Sequence, residues 1–112
     1  MSSIIVSFKS DYKVLVEKNY LDLNNKISEF TANLFSKAKE EIIIEFEEFN
    51  FYKGKRDFLV RAETSRKNID LLDQWAEGLK KIILESGLKE SKALVGIKTY
   101  VVDSCWKEIE LK

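Results

Sequence analysis

The sequence contains no histidine, no proline and a single cysteine. Without histidine there is no Ser-His-Asp or Cys-His nucleophile system, no imidazole general base and no His-containing zinc site. Cys105, standing alone, makes neither an internal disulfide nor a Cys-x-x-Cys redox pair, and a reducing compartment, the cytoplasm, is the expectation. The absence of proline removes polyproline ligands and cis-proline turns. The four glycines, Gly54, Gly78, Gly87 and Gly96, are too dispersed for a phosphate-binding loop. No apolar run approaches the roughly 20 residues that span a bilayer, and residues 1–10 lack the pattern of an export signal.

Net charge is missing too: 19 Lys plus Arg balance 19 Asp plus Glu. The balance holds in each half, nine of each sign in residues 1–56 and ten of each in 57–112. No broad basic field is present to attract nucleic acid or an anionic membrane. With 112 residues, no linker and no internal repeat, the chain reads as a single domain, 1–112, large enough to bury its own core.

What is present is a changing hydrophobic period. Ile4, Val6 and Phe8 alternate with polar neighbours, and Tyr12 to Glu17 is again rich in aromatic and β-branched residues, so two short strands about Ser10-Asp11 are expected in preference to a helix from Ser10 onward. From Asn19, a candidate N-cap, Tyr20, Leu23, Ile27, Phe30 and Leu34 mark a helix over 20–39. Glu41 to Tyr52 and Arg56 to Thr64 read as a β-hairpin turning at Lys53-Gly54-Lys55; the opposite parity of Phe49 and Phe51 calls either for a bulge near Glu47-Glu48 or for the far end of the hairpin to expose or pack its other face. Ile69, Leu72, Ala76, Leu79 and Ile83 form a second helical stripe, ended by Gly87, in which Gly78 allows close packing. Residues 93–102 and 105–111 complete the order as strands.

The expected fold is therefore α+β: an antiparallel sheet with two helices on one face, order ββαββαββ, around a ferredoxin-like βαββαβ core. Such a fold hosts many functions. The RNA-recognition signature is nearly absent: Lys53-Gly54 precedes Phe58 and Val60 without the stacking aromatics, beside a strand of acids.

The most pronounced cluster is Glu40, Glu41, Glu45, Glu47 and Glu48, followed by Phe49, Phe51 and Tyr52 and then Lys53, Lys55 and Arg56. Acids, aromatic anchors and cations in blocks are the ingredients of a protein interface. A solvated sheet face, steadied by cross-strand ion pairs over core aromatics, explains the same residues structurally. Asp70, Asp73 and Glu77 share a helical side but have no second ligand segment, so they read as a solvated face and no metal or cofactor is expected. Trp75 is assigned to the core and Trp106, in step with Glu108 and Glu110, to an exposed strand face. Cys105, sharing a face with Ile109 and Leu111, reads as a buried thiol.

The poverty of catalytic chemistry and the segregated hairpin lead to the expectation of a non-enzymatic protein-binding module. An inhibitor or neutraliser of antitoxin or toxin-immunity type would act by occluding a protein partner, whose basic surface the acids would face. Glu45, Glu47, Glu48, Phe51, Tyr52, Lys53, Arg56 and Trp106 are its expected contact residues. The alternatives are a homo-oligomeric small-molecule-sensing or assembly module and, behind these, a carboxylate, Lys or Tyr enzyme or an RNA binder.

Overall fold

The computed structural model describes residues 2–50, 53–88 and 93–102. Four strands and two helices alternate as β1 (Ser2–Phe8), α1 (Lys13–Phe35), β2 (Ile42–Glu48), β3 (Phe58–Thr64), α2 (Leu72–Ile83) and β4 (Val95–Val101). The α+β class and the inner βαββαβ order agree with the sequence. The expected strand at 105–111 lies outside the described residues.

The pairing differs from expectation. In the sheet, order β2-β1-β3-β4, β1 runs parallel to β2 and β3 parallel to β4, while the central β1 and β3 are antiparallel. The sheet is therefore mixed rather than antiparallel. A ferredoxin-like sheet splits each β-α-β unit with an inserted strand; here both units are unsplit and lie side by side. The β2–β3 hairpin does not form, because β1 sits between those strands and pairs with both. The connection from Glu48 to Phe58 passes the end of β1, where the Phe49 N–H donates to the Phe8 carbonyl (2.8 Å) and the Lys9 N–H to the Asp57 carbonyl (3.0 Å). With β2 ending at Glu48, its register runs unbroken against β1 and no bulge is needed.

The expected second strand is instead the opening of α1. Ser10–Tyr12 forms a 3-10 turn that leads into the helix at Lys13, and Asn19, far from capping, lies inside it, its Nδ2 donating to the Leu15 carbonyl (2.8 Å). Val16 is buried and Val14 faces solvent, so the β-branched residues that suggested a strand are divided between two helical faces. The helix stops earlier than expected, at Phe35, where Ser36 turns left-handed (φ 53°) and the Lys37 N–H donates back to Ala32, a Schellman-type ending.

Even-numbered residues of β1, β2 and β3 and odd-numbered residues of β4 point to the helices. Ile4, Val6, Phe8, Phe58, Val60 and Ala62 are buried there against Val16, Ile27, Phe35, Trp75, Leu79 and Ile83 in one cluster. Trp75 is fully buried, as expected; its ring meets Phe35 edge-on at 4.8 Å between centroids and its Nε1–H donates to Thr31 Oγ1 (3.0 Å), joining the two helices. Ile69 leaves the predicted stripe, because Arg66–Leu71 is a 3-10 turn and α2 begins only at Leu72. A π-helical turn, Leu84–Leu88, follows α2 and includes Gly87, the expected stop.

Candidate functional site

With both helices on one face, the other face of the sheet carries the residues of opposite parity, and these are largely polar. The registers align them in rows: Glu47-Ser7-Leu59-Gly96, then Glu45-Ile5-Arg61-Lys98, then Ile43-Ser3-Glu63-Tyr100. Burying one face of a strand leaves the next residue on the other face, so strands such as Phe58-Leu59-Val60-Arg61-Ala62-Glu63 supply core and site together.

Arg61 is central to this face. Its Nη2 lies 2.7 Å from Oε1 of Glu47, reaching across β1, and Ser7 Oγ donates to the same oxygen at 2.8 Å. Ser7 is buried beneath this contact. The Arg61 Nε–H is buried with no acceptor among the described residues, a donor whose unmet hydrogen bond costs about 1–3 kcal/mol unless something supplies an acceptor. An open cleft of about 400 Å³ lies here, lined by Ser7, Glu47, Glu48, Phe49, Asn50, Leu59 and Arg61.

Beside it, Tyr100 pairs across the strands with Glu63. Burial of the phenol, the hydrogen bond to the Glu63 carboxylate and that carboxylate's charge raise the Tyr100 pKa above its ordinary value, with Arg61 opposing. Lys98 sits over the Tyr100 ring, 5.5 Å from its centroid. The face thus offers three carboxylates, two cations and a phenol that holds its proton, the groups required for binding a small anion and moving a proton on it.

The residues expected to form one protein-binding hairpin are divided. Glu45 and Glu47 stand on the open face of β2, and Glu48 ends that strand beside the cleft. Lys53 and Arg56 are exposed in the approach to β3, and the Arg56 side chain lies against Gly96 on β4, where a Cβ at that glycine would meet it. The acids of β2 and Arg56, close in sequence, are therefore carried toward opposite edges of the sheet. Phe51, Tyr52 and Trp106, like Cys105, lie outside the described residues. Asp70 falls in the 3-10 turn before α2, which breaks its helical spacing with Asp73 and Glu77. Among the described residues no group of three or more carboxylate or cysteine side chains is placed to hold a metal ion. None of their helices is long and apolar enough to cross a membrane.

Ser7, Arg61, Glu63, Lys98 and Tyr100 were not singled out by sequence. The available signal was their shared strand parity, opposite to that of the core.

No protein-family model matches the chain, and no curated protein matches it in sequence. Solved structures do resemble it in fold. A macrophage migration inhibitory factor-like protein from Entamoeba histolytica superposes with a TM-score of 0.65 at 6% identity, covering 88% of this chain and 85% of that one. A fused 4-OT, solved as a symmetric trimer, gives 0.66 at 10% identity over 89% and 85%. The protein Pt0534, inactivated by 2-oxo-3-pentynoate, gives 0.63 at 11% identity over 88% and 85%. These neighbours, together with the unsplit β-α-β units, replace the ferredoxin-like assignment. They also overturn the expectations of an antitoxin or toxin-immunity type neutraliser and of a protein without enzymatic activity: the fold is shared with a fused 4-OT trimer and with Pt0534, which 2-oxo-3-pentynoate inactivates, and nothing in the comparisons supports an antitoxin or immunity role.

Proposed function

We propose that the protein is a small oligomeric enzyme of tautomerase-like type that moves a proton on a small 2-oxo acid, using the open face of its sheet. The reading rests on one observation above all: in a fold shared with these proteins, the cleft between β1, β2 and β3 places Arg61 against Glu47. The inactivation of Pt0534 by a 2-oxo acid supports the substrate class, and the fused 4-OT trimer supports assembly of copies. The single cysteine accords with a reducing cytoplasm.

In this scheme Arg61 receives the substrate carboxylate and keto oxygen, for which a guanidinium has a forked set of donors. Ser7 and Arg61 both engage Oε1 of Glu47, and Oε2 takes the proton from the carbon next to the keto group. The C–H electron pair moves into the enolate, whose negative oxygen Arg61 stabilises, and return of a proton to carbon completes the cycle. Leu59 and Phe49 bound the cleft with apolar surface.

The test is exchange of the C3 protons of 2-oxobutanoate in D2O, followed by proton NMR. The protein should accelerate exchange well above buffer, Glu47→Gln should lower the rate by about 100-fold or more, and Arg61→Gln should weaken substrate binding. The Arg61–Glu47 pair is half exposed and contributes about 0–1 kcal/mol to stability, so both variants should remain folded. Exchange by the native protein no faster than buffer would overturn the proposal.

A further inference from the structure

Glu47 stands on β2, an outer strand among the described residues, and its side chain is half exposed. A glutamate in such a place has several torsions to turn about, and either carboxylate oxygen can be brought to face the cleft. Two donors decide between them. Ser7 Oγ on β1 donates to Oε1 at 2.8 Å, and Arg61 Nη2 on β3 donates to the same oxygen at 2.7 Å. The carboxylate is thus held from two strands by one oxygen, and turning it over would break both bonds.

The two donors are not equal. The Arg61 side chain is itself half exposed, an ion pair at such exposure holds loosely, and in the proposed reaction Arg61 is drawn to the substrate carboxylate. Ser7 has nowhere to go. It is 1% exposed on the central strand, in register with Glu47 on one side and Leu59 on the other. Leu59 has no side-chain acceptor, so within this row the buried hydroxyl depends on Glu47 for its hydrogen bond, and a buried donor without an acceptor is costly. Serine also has little side-chain freedom to lose in making that bond.

We propose that Ser7 is the positioning residue of the cleft: by holding Oε1 it presents Oε2 alone as the base, on one fixed side of the substrate. The inference deepens the proposed function and rests on its assignment of Glu47. With the substrate carboxylate and keto oxygen gripped by Arg61, the carbon next to the keto group turns one of its protons toward Oε2. That proton moves to Oε2, the C–H electron pair enters the enolate, and a proton returns from the same oxygen to the same face of the carbon. The second proton on that carbon is left in place. Ser7 touches no substrate atom and acts only through Glu47.

Steady-state exchange of 2-oxobutanoate in D2O, followed by proton NMR, tests this. With the native protein the C3 signal should fall quickly to half and only slowly beyond, as one proton is replaced and its twin is spared. Ser7→Ala should lower kcat by about tenfold or more, leave KM within about twofold because Arg61 is untouched, and abolish the pause at half exchange. Ser7→Thr, which keeps the hydroxyl, should restore the pause. Ser3→Ala, the same change on the same face of β1 but beside Glu63, should behave as native. A Ser7→Ala protein with native kcat and a native pause, or one altered only in KM, would overturn the role of Ser7 while leaving Glu47 as the base. An equal loss in Ser3→Ala would overturn it as well, by showing a general effect on the sheet. A native protein that exchanges no faster than buffer would remove the proposed function and this inference together.

Discussion

The ring of Phe30 on α1 occupies the space that a side chain at Gly78 on α2 would need. Glycine inside a helix costs about 1 kcal/mol relative to alanine, and here that cost permits the two helices to approach closely. Gly78→Ala gains the propensity but drives a methyl into the ring. We expect a net loss of about 1–3 kcal/mol in urea unfolding. Pairing it with Phe30→Leu should recover part of that loss.

Trp75 and Thr31 hold the same two helices by a buried hydrogen bond. Thr31→Val keeps the shape and leaves the indole N–H without a partner, which should cost about 1–3 kcal/mol. Thr31→Ser keeps the hydroxyl and should cost less. Thermal unfolding of both variants checks the order.

Asp57 ties three strands at one end of the sheet. Its carboxylate accepts from the Leu94 N–H (2.8 Å) and lies 3.6 Å from the Lys9 ammonium, while its backbone bonds to both Lys9 and Leu94. Asp57→Ala should cost about 1.5–3 kcal/mol, the range for hydrogen bonds to a charged group. Amide hydrogen exchange should accelerate first at Leu94 and the opening of β4.

Tyr100 should be slow to give up its proton as alkali is added, because burial and the Glu63 carboxylate raise its pKa. The native form then binds the proton more tightly than the unfolded chain. This contribution to stability is fully present below the ordinary tyrosine pKa of about 10 and is lost as pH rises through the higher folded value. Ultraviolet titration should show a late-ionising tyrosine, and Glu63→Gln should bring it to lower pH.

Periodicity was sufficient to find β3, β4 and α2, and the large apolar surface of Trp75 to assign it to the core, where it is fully buried. Periodicity failed where two local signals competed with distant ones. Lys53-Gly54-Lys55 between two apolar runs has the chemistry of a hairpin turn, but β1, whose core-facing side chains are all buried, is the better partner for both flanking strands. Residues 12–17 have strand-like composition, and only the burial of Val16 with Val14 outside shows why a helix wins. The acids of β2 were legible as a group. Arg61 was not, because its partner Glu47, and Ser7, which donates to the same carboxylate oxygen, lie 14 and 54 positions away and converge only once β1 is central.

The antiparallel seam between β1 and β3 bears on how the chain folds. It joins Ser3 to Glu63, whereas the parallel pairs begin with Ser2 beside Ile42 and Phe58 beside Val95. The closer pairings within each β-α-β unit can form before the more distant ones, so folding resembles the docking of two tethered halves. The connection from Glu48 to Phe58 then acts as a linker that sets the effective concentration of one half about the other. Lengthening it with glycine and serine should slow refolding by a small factor and leave the unfolding rate nearly unchanged in chevron measurements.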